Sequence, residues 1–448
     1  MKKNILYLSL IIVFIGSVSF IVLKYQHTEK NKAAKVYTLL ERKGLLAKTD
    51  EWINTKRNVA LLQNKIEANP ADIKSKIALA NNFILESRAT GNYAYYDIAA
   101  MKLANDVLEM DSNNFEALTL KSLIYLSQHH FADGLATAEK AKNRAPHNAF
   151  VYGVLVDGNV EMGNYDSAVL CAQQMMDIRP DLRSYARASY LREINGDYPG
   201  AIEAMKLAIE AGAPGDEATE WSRIQLGHLY ENTGDLKSAE MNYQIALNER
   251  PGYMHAYAGM ARLAMAAKDY NKAIGFYKQA SNDAIEGAFK EELATVYFLS
   301  GQKEKANELT GLLIDELNKN AQAANTDESI GHYADKELAY AYLSVNKYDK
   351  ALEHALLEYN RRPKNIEVNE TAAWVNYKKG DVSKALPFIA EALKTNSKNP
   401  TLLCRAGLIY LKAGDKEKAK KLLKDGTQNN PNINEILKAE VANAMQQL

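Results

Sequence analysis

The chain has 448 residues, with 55 Lys+Arg balanced against 55 Asp+Glu. That balance excludes the broad basic footprint that a nucleic-acid binder needs, so no nucleic-acid partner is expected. The length would suit several globular domains, but Pro and Gly concentrate at recurrent turn positions, which points to an array of repeated units instead.

The N-terminus reads "MKKNILYLSLIIVFIGSVSFIVLKYQ", two lysines followed by an apolar run from Ile5 to Leu23. That run approaches the ~20 residues that cross a bilayer, and residues 1–26 are expected to form a membrane anchor. A cleaved signal is the alternative, because Ser17-Val18-Ser19 offers small residues for cleavage, although Phe20 to Leu23 continue the apolar run past them. Lys2 and Lys3 favour a cytoplasmic N-terminus and an exported body; Lys24, Lys30, Lys32 and Lys35 pull the other way. The expectation is a body on the periplasmic or envelope side. Residues 27–70 read as a polar linker and then a lone helix, "EWINTKRNVALLQNKIEANP", closed by Pro70 and suited to cap the array.

From residue 71 to the C-terminus one pattern recurs. In "GHLYENTGDLKSAEMNYQIALNERPGY", Gly227 and Tyr230 share a helical face. Gly234 breaks the helix, Ala239, Tyr243 and Ala246 form a second stripe, and Pro251 stops it. Aligned on the turn, the positions are Tyr95, His129, Gly163, Gly196, Gly234, Lys268, Gly301, Asn346, Gly380 and Gly414. Most gaps are about 34 residues, one helix-turn-helix unit. Five places on comes a small residue: Ala100, Gly134, Ala168, Ala201, Ala239, Ala273, Ala306, Ala351, Ala385 and Ala419. A closing proline recurs as Pro146, Pro180, Pro251, Pro363 and Pro431.

Irregularities interrupt the array. "TGNYAYYDIAA" adds residues to the first turn, "EAGAPGDEAT" (210–219) lengthens one junction, and "NKNAQAANTDESIGH" (318–332) lengthens another. The two junction segments read as tolerated surface insertions, although such excursions also carry contacts in some arrays. Near the C-terminus, the lysine-rich "GDKEKAKKLLKDG" reads as a polar outer face capping the last repeat.

This pattern resembles the tetratricopeptide repeat. The resemblance implies an all-α, right-handed α-solenoid of about ten units over residues 71–448. Lys121, Asn159 and Asn376 depart from the family pattern. In the family the first helix of each repeat lines a concave groove. Carried over, its ligand-facing positions are Arg183, Tyr190 and Glu193; Trp221, His228 and Glu231; His255 and Arg262; Tyr333, Lys336 and Tyr340; and Glu367, Glu370, Trp374 and Tyr377. The carboxylate clamp of chaperone-binding repeats is absent, because Ala186, Ile224 and Ala258 occupy its fifth positions.

Catalytic motifs are missing. There is no phosphate loop, no HExxH and no CxxC, so no catalytic, cofactor or metal residues are expected. Cys171 and Cys404 read as apolar residues in distant repeats, the pair His129-His130 as a solvated turn, and Glu291-Glu292 as a solvated face. The expected function is a membrane-tethered scaffold that binds a protein or peptide in its groove. A carbohydrate-polymer binder, stacking sugars on Trp221 and Trp374, is the alternative; an enzyme subunit ranks below both.

Overall fold

The computed structural model describes residues 14–20, 22–24, 36–283, 289–326, 331–430 and 433–448. The chain divides into two compact units, 1–40 and 41–448. Most of the expected anchor, residues 1–13, 21 and 25–26, lies outside the described residues, as do residues 27–35 of the linker that follows it. Residues 14–20 and 22–24 are helical, with Phe14, Ile15, Phe20 and Leu23 exposed. Among the described residues no helix is long and apolar enough to cross a membrane.

In the second unit every regular element among the described residues is helical. A lone helix, Asp50–Ala68, stands where the cap was expected. Ten helix pairs follow. Repeat 1 pairs Ile73–Thr90 with Tyr93–Met110, repeat 2 Phe115–Ser127 with Phe131–Arg144, and repeat 3 Ala149–Glu161 with Tyr165–Ile178. Repeat 4 pairs Leu182–Ile194 with Tyr198–Glu210, repeat 5 Glu217–Asn232 with Leu236–Glu249, and repeat 6 Met254–Ala266 with Tyr270–Asp283. Repeat 7 pairs Lys290–Leu299 with Lys303–Thr326, and repeat 8 Asp335–Ser344 with Tyr348–Arg361. Repeat 9 pairs Ile366–Lys379 with Val382–Ala392, and repeat 10 Pro400–Lys412 with Lys416–Asn429.

The turns explain the register. In repeats 2 to 10 the expected turn residue is left-handed, with φ from 58 at Asn346 to 96 at Gly380. Such a residue reverses the chain at a helix C-terminus, and Gly or Asn takes it at least cost. Capping side chains then restart the helix: Asp197, Asp235 and Asp415 each accept a backbone N–H three residues on. Repeat 1 differs from expectation. Its left-handed residue is Gly91, not Tyr95. The extra residues lengthen the second helix instead of the turn, so Tyr96 occupies the close-packed position. Ala100 lies one helical turn further along the same face, and both are fully buried.

The small positions allow close helix contact. Ala168, Ala201, Ala239, Ala273, Ala351, Ala385 and Ala419 have no exposed surface. Around Ala239 the fully buried Tyr243 ring fills the gap between Gly227 and Gly259. A Cβ at Gly259 would sit 2.7 Å from that ring, and one at Gly227 would overlap it. Repeat 1 buries an unusual polar group, Asp97, which accepts from Ser127 Oγ at 2.5 Å. Burial pushes its carboxyl up to about 7, against the opposing effect of the Ser127 and Ser87 hydroxyls. The folded state therefore holds a proton that the unfolded chain releases near pH 4. Stability falls as pH rises from about 4 to about 7. Asp97→Asn is expected to remove that slope and to gain on the order of 2 kcal/mol at pH 8; urea midpoints of both proteins at pH 5 and 8 check it.

The array also closes on itself. Inner-turn residues of the early repeats dock on junctions about six repeats later. Repeat 2 meets the start of repeat 8, where the Tyr333 N–H donates to the Gln128 carbonyl at 3.1 Å and His130 Nε2 faces the Gly331 carbonyl at 3.0 Å. Repeat 3 meets the junction of repeats 8 and 9. There Arg362 pairs with Glu161, Asn365 donates to the Glu161 carbonyl at 3.0 Å, and the Ile366 N–H donates to Tyr165 Oη at 2.9 Å. Arg88 pairs with Glu217 at 2.9 Å, and Arg250 with Glu51 of the capping helix at 2.6 Å. Both junction insertions take part. Gly215 of the first accepts from Arg250 at 3.0 Å, and the second delivers Gly331, His332 and Tyr333 to repeat 2. They are pieces of this seam, which corrects the reading as passive surface loops.

The C-terminal end corrects a further expectation. The lysine-rich stretch is the second helix of repeat 10, its lysines exposed. The cap is a separate helix, Glu435–Met445, which packs Leu437, Val441 and Ala444 against Trp374, Cys404, Leu408 and Leu423.

Candidate functional site

First helices present their polar faces inward because their apolar stripes are used between repeats. On repeats 5 and 6 this brings together Glu231, His228 and Arg262, three of the expected groove residues. Arg262 Nε donates to Glu231 Oε2 at 3.2 Å, its Nη2 donates to His228, and Tyr243 Oη donates to Glu231. Burial beside Arg262 pushes the His228 imidazole well below its ordinary range, which leaves it as a neutral acceptor.

A second group forms on repeats 8 to 10. Lys336 pairs with Glu367, and the Lys336 charge holds that carboxyl low. Arg405 donates to Tyr340 Oη at 2.9 Å and to Glu370 at 3.0 Å. Repeat 4 contributes less to a common site. Arg183 lies over the Phe150 ring at 4.8 Å, Tyr190 is exposed, and Glu193 accepts from Asn232 at 3.3 Å. Burial pushes the Glu193 carboxyl up to about 7.

Several expected groove residues prove to be packed. Trp374 is buried in the core at the C-terminal cap, stacked on Tyr377 and covered by Arg405. Trp221 meets His255 edge-on at 4.9 Å, and His255 also touches Tyr253 and Phe289. Burial pushes the His255 imidazole down to about 4. Tyr333 belongs to the seam, stacked on His130 at 4.0 Å with Arg361 over its other side at 4.3 Å. Trp374, Trp221 and His255 join successive repeats and Tyr333 joins repeat 2 to repeat 8, roles their groove positions do not reveal. Trp374, stacked on Tyr377 and covered by Arg405, offers no free ring face for the carbohydrate reading, whereas Trp221 is only half-buried.

The inner wall holds a cavity of about 340 Å³ beside Arg262. Glu231, Arg262, Tyr277, Glu291 and Glu292 line it from repeats 5 to 7, and Thr401, Asn434 and Glu435 close it from the C-terminal end. This places Glu291 and Glu292 in a cavity wall; Glu291 is exposed, as the solvated-face reading has it, and Glu292 is half-buried. Burial and the adjacent Glu292 push the Glu291 carboxyl up to about 7, although water still reaches it. Four carboxyl groups thus share the cavity with one guanidinium, and of these Glu435 also pairs with Lys268 at 3.2 Å. That excess favours a cationic or hydrogen-bond-donating group from a partner. Sequence reasoning missed Glu435 because the coil brings it in from the far end of the chain.

Models of the tetratricopeptide repeat match residues 377–448 and 222–253. No curated protein matches the chain. The chain is similar to a tetratricopeptide repeat protein from Parabacteroides merdae, at 19% identity over 59% of this chain and 98% of that one, with a TM-score of 0.34. It is similar to a thermophilic TPR protein of Thermus thermophilus at 18% identity, covering 43% of this chain and 99% of that one, with a TM-score of 0.38. Yeast Tom70 is 12% identical over 89% of this chain and 94% of its own, with a TM-score of 0.36.

Proposed function

We propose, from the premise that this chain is a tetratricopeptide-repeat protein, that it is a non-catalytic scaffold holding a protein partner on its inner wall. Residues 1–26 tether it to a membrane, with the repeats on the envelope side. The apolar run from Ile5 to Leu23 supports the tether. The observation that carries the reading is the cavity beside Arg262. It gathers polar groups from three successive repeats and keeps a carboxylate excess. A partner segment bearing lysine or arginine fits it.

The test is quantitative capture from solubilised membranes. Glu291→Gln with Glu435→Gln is expected to weaken capture by ~2 kcal/mol, about thirtyfold, as central interface groups do. Outer-face controls must be exposed. Lys237 and Glu240 qualify, whereas Asn242 on the same helix is buried and bonded to the Ser238 carbonyl. Capture lost in Lys237→Ala with Glu240→Ala, but kept in the inner pair, would place the working surface on the convex side. For the tether, deletion of residues 1–26 is expected to move the chain from the membrane to the supernatant fraction. Circular dichroism should stay helical, because each repeat buries its apolar stripe on its neighbours.

A further inference from the structure

His129 and His130 do not form a solvated turn. His130 is buried, and His129 is drawn into the seam beside His332 and Glu337. The second junction insertion ends at His332, and its docking brings the ring to 4.1 Å from that of His129. Glu337 follows on the first turn of the helix Asp335–Ser344, its Oε1 3.8 Å from His129 Nδ1. One donor atom from each of the three side chains lies within 4.8 Å of the others.

We infer that His129, His332 and Glu337 form a binding site for a divalent transition metal, of which Zn²⁺ is the best match. Two imidazoles and a carboxylate are a three-ligand zinc set with the fourth position open. Each imidazole is also anchored as metal-bound histidines are, by a bond to a backbone carbonyl. His129 Nδ1 lies 3.0 Å from the Tyr333 carbonyl oxygen, and His332 bonds the Ser127 carbonyl. The carboxylate supplies an independent sign. Glu337 Oε2 is buried and receives no hydrogen bond, a state that a bound cation would relieve. Neighbouring cations do not fill that role, since Lys336 pairs with Glu367, and Arg362 with Glu358 and Glu161. His129 closes the inner turn of repeat 2, while His332 and Glu337 belong to repeat 8 and the junction before it. A metal here therefore fastens one turn of the coil to the next.

The experiment titrates CoCl2 and ZnCl2 into the chelator-stripped full chain in mild detergent. Cobalt d–d absorption reports the coordination, and isothermal titration reports the stoichiometry. One equivalent is expected to bind, and Zn²⁺ is expected to raise the thermal midpoint. His332→Asn and Glu337→Gln should each bind at least tenfold more weakly and lose the thermal shift, with unchanged helical content. His147→Asn, at an exposed histidine elsewhere, should bind like the parent. The inference is overturned if the folded parent binds no stoichiometric metal, or if the two seam variants titrate as the parent does.

Discussion

Alanine at Gly163 or Gly196 is expected to open the seam, whereas alanine at Gly380 or Gly414 is not. All four residues are left-handed, with φ of 74, 81, 96 and 91. Any L side chain in that region costs ~1–2 kcal/mol, so every variant loses that much. The surroundings separate them. A Cβ at Gly163 would fall inside contact distance of the Lys364 carbonyl and 2.7 Å from Asn365 N. At Gly196 it would sit 2.6 Å from the Asn396 carbonyl oxygen. Those neighbours are backbone of the next turn of the coil and cannot rotate away. Around Gly380 and Gly414 a Cβ meets nothing within 4 Å. The first pair should therefore lose a further ~1–3 kcal/mol, the usual range for overpacking. Hydrogen exchange in the full chain gives the local readout. Peptides over 362–368 should exchange faster in Gly163→Ala, where the Ile366 N–H loses Tyr165. If all four variants behave alike, the two turns of the coil do not touch in solution.

The same glycines show what the sequence makes legible. A left-handed turn favours Gly or Asn, although His129 and Lys268 also adopt it, a close helix contact needs Ala or Gly, and both requirements are local. Nine of the ten turn positions were therefore placed from spacing alone, from His129 to Gly414. Repeat 1 failed because Gly91 and Tyr95 are both plausible turn residues four places apart, one helical turn, so either choice preserves the apolar face. The terminal helix Glu435–Met445 follows Pro431 at a place where the periodic pattern ends, and its apolar residues Leu437, Val441 and Ala444 are too few to announce a partner.

The site was less legible because its contacts span the coil. Family positions placed His228, Glu231 and Arg262 on one wall, since neighbouring repeats repeat a local geometry. They could not say that Glu435 faces Glu291, or that His332 reaches His129. Such meetings depend on the pitch accumulated over several repeats, and no window of sequence encodes it. Position also says nothing of size. Trp374 occupies a groove position, but its large ring gains more from filling the space between repeats than from facing water.

The second large effect is expected at the start of the repeat-bearing unit. Arg42 donates to Glu86 at 3.1 and 2.5 Å, and to Glu51 at 2.8 Å. The Arg42 and Glu86 side chains are only 1% and 2% exposed. Arg42→Ala strands the Glu86 carboxylate in the core, which typically costs ~3–5 kcal/mol. Glu51 keeps Arg250, so the loss should centre on Glu86. Replacing both partners with apolar residues, Arg42→Met with Glu86→Leu, removes the stranded charge and should cost far less. The buried Arg42 Nη1 has no hydrogen-bond partner, so the pair already carries an unmet desolvation cost and its net worth is small. Lys384→Ala, which breaks an exposed pair with Asp381, sets the baseline at ~0–1 kcal/mol. Terminal repeats unfold separately from the middle of an array, so the change should appear first as faster exchange over residues 50–90 and then in the urea midpoint. A single variant no weaker than Lys384→Ala would mean that water reaches Glu86. A double variant as weak as the single one would mean that the pair holds the capping helix in place by its specific geometry and not only by avoiding an unpaired charge.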